Sequence, residues 1–131
     1  MSRIFLFFIS CICCIASCTT VDLYEKSVVI PGHSWKSSYK PSFGFTIKDS
    51  SSLYQPFLVL RHNDKYSFNN IYVNLYIQLP AGDTIKKLQQ DLILADNVNG
   101  WHASGMDDIY EHRIKLGEAE SLRPGTYIFT I

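Results

Sequence analysis

The chain has 131 residues with 12 basic and 12 acidic side chains, and 47% of it is hydrophobic and 14% aromatic. That length suits one domain with a real core and excludes two. The even charge balance argues against nucleic-acid binding, which needs a concentrated basic surface, and the aromatic, β-branched composition favours strands.

In chain order, Met1, Ser2 and Arg3 come first, followed by an almost wholly apolar run from Ile4 to Ile15. One basic residue ahead of a short apolar stretch is the pattern of a secretory signal. The stretch is shorter than the ~20 residues a membrane-spanning helix needs. It ends at Ile15-Ala16-Ser17-Cys18, which looks like a lipobox. In such a motif small side chains let a peptidase close on the backbone, and the cysteine thiol forms a thioether to diacylglycerol. Residues 1–17 are therefore expected to be a signal peptide, and Cys18 the lipidated first residue of the mature chain. Cys11, Cys13 and Cys14 fall in the removed segment, so no disulfide can form within the domain. One acyl chain holds a protein only marginally, whereas two or three hold it effectively for good. Removing 17 of 131 residues leaves 114, with 11 basic side chains after the loss of Arg3 against the same 12 acidic ones. Residues 18–26 read as a lipidated tether and 27–131 as the folded domain.

Ser27-Val28-Val29-Ile30 reads as a first strand ended by Pro31-Gly32, and Phe43–Ile47 as a second. Lys48–Ser52 is turn-like, and Phe57–Arg61 is a short apolar run suited to a buried strand. Ile71–Leu79 alternates strictly. Ile71, Val73, Leu75, Ile77 and Leu79 share one face, and Tyr72, Asn74, Tyr76 and Gln78 the other. Pro80-Ala81-Gly82-Asp83 supplies a turn, and Thr84–Leu94 returns as the partner strand, although Lys86–Gln90 is also compatible with a helix. Asn97–Gly100 is a loop by composition. His112–Leu116 and Thr126–Ile131 read as further strands, with a turn at Arg123-Pro124-Gly125. Short strands between regular turns predict an all-β, antiparallel β-sandwich, jelly-roll or immunoglobulin-like.

Several of these segments together resemble the gliding-motility lipoprotein family GldH of the Bacteroidota. They are Asp22-Leu23-Tyr24-Glu25 leading to Trp35, Phe45–Asp49, Leu60-Arg61-His62-Asn63, Tyr66–Tyr72, and above all Gly100–Glu111. The resemblance implies a lipoprotein facing the periplasm and linked to gliding motility or its associated secretion system, with no known catalytic activity. Members of the family look longer than this chain. That leads to the expectation that a final strand is missing after Phe129 or that the sequence is truncated at Ile131; a strand left without its partner would expose an edge. The absence of an acidic run behind Cys18 suggests the inner leaflet of the outer membrane.

Chemistry-bearing residues concentrate at His102, Asp107, Asp108, Glu111 and His112. Such types can bind a divalent cation or move protons. Their spacing fits no standard metal motif, and the expectation is a solvated loop with no metal and no cofactor. Trp35 and Trp101 either stack on a sugar or pack in the core. Tyr66, Tyr72 and Tyr76 form an aromatic stripe, open to a partner or covered by a second sheet. Ser104 lacks the glycine-flanked elbow of a nucleophile, and no glycine loop cradles phosphate. The expected function is a non-enzymatic component held to the membrane only by its lipid. It would dock onto other envelope proteins through Gly100–Glu111, Tyr110 included, and through the tyrosine face. The alternative is a glycan-binding lipoprotein using Trp35 or Trp101.

Overall fold

The computed structural model describes residues 24–82 and 85–131. Cys18, the expected signal peptide and the start of the expected tether lie outside the described residues, as do Asp83 and Thr84 of the expected turn. The strands, in chain order, are β1 (Ser42–Ile47), β2 (Leu53–Tyr54), β3 (Phe57–Asn63), β4 (Asn70–Gln78), β5 (Ile85–Ile93), β6 (Ala95–Asp96), β7 (Gly100–Trp101), β8 (Ser104–Met106), β9 (Ile109–Lys115), β10 (Glu120–Ser121) and β11 (Gly125–Thr130).

The alternation in β4 does what it predicts. Val73 and Leu75 are buried while Tyr72 and Asn74 are exposed. β5 pairs antiparallel along all of β4, from Asn70 opposite Ile93 to Gln78 opposite Ile85, so the return segment is a strand and not a helix. β11 inserts between β4 and β1, giving a sheet in the order β1-β11-β4-β5 with its edges at β1 and β5. Its register sets Phe45 opposite Tyr127 and Phe43 opposite Phe129. The Phe45 ring lies 5.6 Å from Tyr127 and edge-on to Phe129 at 5.1 Å.

A second sheet runs β3-β9-β8, and β2–β10 and β6–β7 form small antiparallel pairs. Val73, Leu92 and Leu94 on the first sheet's side pack against Leu58, Leu60 and Ile114 of the second. The two sheets thus face each other across one core, the antiparallel β-sandwich expected. Each large apolar side chain buried there stabilises by roughly 1.5–3 kcal/mol before entropy is counted.

One expected strand does not form. Among the described residues Ser27–Ile30 pairs with no strand, and a single 3-10 turn at Pro31–His33 follows it. Val28 and Val29 are exposed, so local β-branching has no partner strand to reward it. The tether is also tied down earlier than its composition suggests. The Tyr24 hydroxyl donates to the Gly44 carbonyl at 2.8 Å, and its ring lies 5.4 Å from Phe45.

Candidate functional site

The pleat of β9 sorts the polar residues singled out from the sequence. Tyr110, His112 and Ile114 share one face, while Glu111 and Arg113 share the other. Glu111 accepts from Arg61 Nε at 2.6 Å across the β3–β9 register. That pair is largely exposed and contributes at most about 1 kcal/mol. Beside it the Arg113 guanidinium covers the Phe57 ring at 4.7 Å. On the inner side His112 is only 1% exposed.

The solvated loop expected over Gly100–Glu111 is therefore not a loop. It is β7, β8 and the start of β9, with a turn at Asp107-Asp108. Gly105 sits opposite Tyr110 where β8 joins the edge of the second sheet. Asp107 takes the left-handed conformation at φ 58°, which a short acidic side chain tolerates. Asp107 and Asp108 are exposed at this tip. His102 turns away to Asp96, donating from Nε2 to Oδ2 at 2.6 Å. The five residues thus separate into one buried, one outward, two at a tip and one paired elsewhere. Among the described residues no three His, Cys, Asp or Glu side chains gather as metal ligands do.

What assembles instead is a cluster of rings. His62 on β3 lies 4.5 Å from Trp101, 5.2 Å from Tyr66, 5.4 Å from Tyr110 and 5.0 Å from His112, centroid to centroid. Trp101 also touches the core cluster. Trp35 packs on that core too, and its Nε1 donates to the Tyr39 carbonyl at 2.9 Å. Both indoles thus take the packing role, and no observation favours the glycan reading. The tyrosine stripe is shorter than expected. Tyr72 is 68% exposed, and Tyr76 is half-buried with the Lys87 ammonium 5.7 Å from its ring centroid. Tyr66 instead donates its hydroxyl to the Asn70 carbonyl at 2.7 Å and packs on the core, where burial pushes its phenol pKa up.

Two contributing residues escaped the sequence reading. Asp96 accepts from the Val98 and Asn99 amides at 2.7 and 2.6 Å, and from His102. These bonds, those from Asn99 foremost, hold its carboxyl well below the usual range and fasten the β6–β7 turn. An Asp three residues ahead of an Asn in a turn was the available signal. His62 was the other. Alternation with Leu58 and Leu60 places it inward, on a strand that runs two residues past the apolar segment ending at Arg61.

Burial, with the neighbouring His62 second, pushes the His112 pKa down. In the unfolded chain the group returns to about 6.5. The folded value lies below the unfolded one, so this stability is complete above about pH 6.5 and is lost as pH falls through the folded value. Urea midpoints are expected to decline between roughly pH 7 and 5, a window in which histidines titrate and the Asp96 carboxylate does not. A flat profile across that window would refute the assignment.

Residues 22–131 have relatives. A family model described as GldH lipoprotein matches residues 22–131. The gliding motility lipoprotein GldH of Flavobacterium johnsoniae is 29% identical over 103 residues, covering 78% of this chain and 63% of that protein. A protein named as its homolog in Christiangramia forsetii is 28% identical over 109 residues, covering 82% of this chain and 64% of its own. The chain thus spans a little under two-thirds of the length of these relatives. No solved structure gives a significant match.

Proposed function

The chain belongs to the GldH lipoprotein family, and from that premise we propose that it is a lipid-anchored, non-enzymatic interaction component of the gliding-motility machinery or its associated secretion system. The observation that carries this reading is the family match over residues 22–131, set directly behind Ile15-Ala16-Ser17-Cys18. Lipid on Cys18 would confine the domain to the membrane surface and raise its effective concentration near an envelope partner. We favour the inner leaflet of the outer membrane, with the domain in the periplasm. Tyr72 and its diagonal neighbour Ile93, exposed at 68% and 54%, are the contact surface we favour, together with the acidic Asp107-Asp108 tip.

Labelled palmitate is expected to enter the protein in cells and to be lost completely in Cys18→Ser. Label that never enters, or that persists in the variant, would remove the lipid anchor. A photo-crosslinker at position 72 is expected to join the domain to a defined envelope protein. Recovery of the uncrosslinked chain alone would overturn the interaction reading. Digestion by protease added to intact cells would overturn the periplasmic placement.

A further inference from the structure

The imidazoles of His62 and His112 meet Nε2 to Nε2 at 2.9 Å. Each ring's other nitrogen faces a backbone carbonyl. His112 Nδ1 lies 3.1 Å from the oxygen of His102, and His62 Nδ1 lies 2.7 Å from that of Asn63. A carbonyl only accepts, so both Nδ1 atoms must carry hydrogen. The Nε2–Nε2 contact needs one hydrogen more. Three hydrogens are required, and two neutral imidazoles supply two.

We propose that His62 and His112 form a proton-binding site that holds three protons and one net positive charge, the third proton lying between the two Nε2 atoms. The charge belongs on His62. His112 is almost fully enclosed, and a cation there would be desolvated without a carboxylate beside it. His62 is half-buried, and the rings of Trp101, Tyr66 and Tyr110 surround it at distances where aromatic side chains attract a cation. The groups facing the pair are accounted for on each element. β3 brings the Asn63 carbonyl and the following connection brings Tyr66; β7 brings Trp101 and then His102, whose imidazole is held by Asp96; β9 brings Tyr110. Glu111, the acidic neighbour of His112 in sequence, is on the outer face with Arg61.

The site fails on either side of this protonation state. When the third proton passes to a base in solution, two lone pairs meet at Nε2, or one ring changes tautomer and turns a lone pair toward its carbonyl. A fourth proton sets two N–H groups against each other. The bond from His112 to the His102 carbonyl, which fastens the end of the β6–β7 hairpin to the second sheet, depends on the intermediate state. The pair is thus a pH-sensitive latch on that hairpin.

Nitrogen-15 NMR of the side chains of the mature protein tests this. Both His62 nitrogens are expected to read as protonated, with His112 as the Nδ1–H tautomer. As pH rises, one proton should leave the pair, and the Trp101 and His102 amide signals should shift with the same midpoint. His62→Phe keeps a ring against Trp101 and should abolish that shared step. A His62 that carries one proton throughout the folded pH range overturns the proposal, as does hairpin titration unchanged in His62→Phe. Should that variant not fold, the protonation states read on the wild-type chain decide alone.

Discussion

Gly125→Ala is expected to lower stability by about 3 kcal/mol, read as a drop in the urea midpoint without a change in slope. Two independent causes act at this position. A Cβ built on Gly125 would stand 2.5 Å from Pro80 Cβ and 2.9 Å from its Cγ. The pyrrolidine ring is rigid, so it cannot swing aside as a long side chain would. The backbone also has φ +137°, a conformation that side-chain-bearing residues avoid. Gly125 opens β11 opposite Ile47, so the clash falls where one of the two inner strands enters its sheet. Gly44→Ala is the control. Its Cβ would meet nothing nearer than 4.0 Å, and a change within about 0.5 kcal/mol is expected. Equal effects at the two glycines would refute the packing argument.

Leu94→Ala should cost about 3–5 kcal/mol, toward the upper end for a leucine. The side chain is 2% exposed and belongs to the cluster shared by both sheets. The penalty depends on how far the surroundings can collapse into the space left. Here they are pinned. The Leu94 amide donates to the Asn69 carbonyl at 2.7 Å, and its carbonyl accepts from the His102 amide at 2.7 Å. The backbone is held on both sides and cannot move in to fill the void. A loss below about 1.5 kcal/mol would mean that the site relaxes freely.

The parts of the fold that were legible are those where one strand carries its own signal over many residues. The nine-residue β4 alternates without a break, and its partner follows a turn rich in Pro and Gly, so both were readable despite the helix-compatible lysines and glutamines of β5. Strands of two or three residues show no period. β7 and β8 therefore read as loop in the sequence, although β7 carries Trp101, whose ring lies edge-on to His112. Ser27–Ile30 failed for the opposite reason, since its propensity was strong and its partner absent. The ring cluster was out of reach because its residues come from β3, β7 and β9, and only cross-strand register brings them together. His112 stood in the sequence among carboxylates, which suggested a polar site. The pleat of β9 turns Glu111 outward, the turn leaves Asp107 and Asp108 at a tip, and the imidazole faces another imidazole.

The Tyr24 bond to Gly44 bears on how far the domain can stand from a bilayer. If lipid is on Cys18, only six residue steps separate the anchor from Tyr24, where the described fold begins with a bond to Gly44. Six steps of chain reach ~20 Å at full extension. The domain would patrol a shallow layer over the lipid headgroups and not the depth of its compartment. A partner lying in or against the same leaflet would meet it readily. One that stands farther off would have to send a segment down to it.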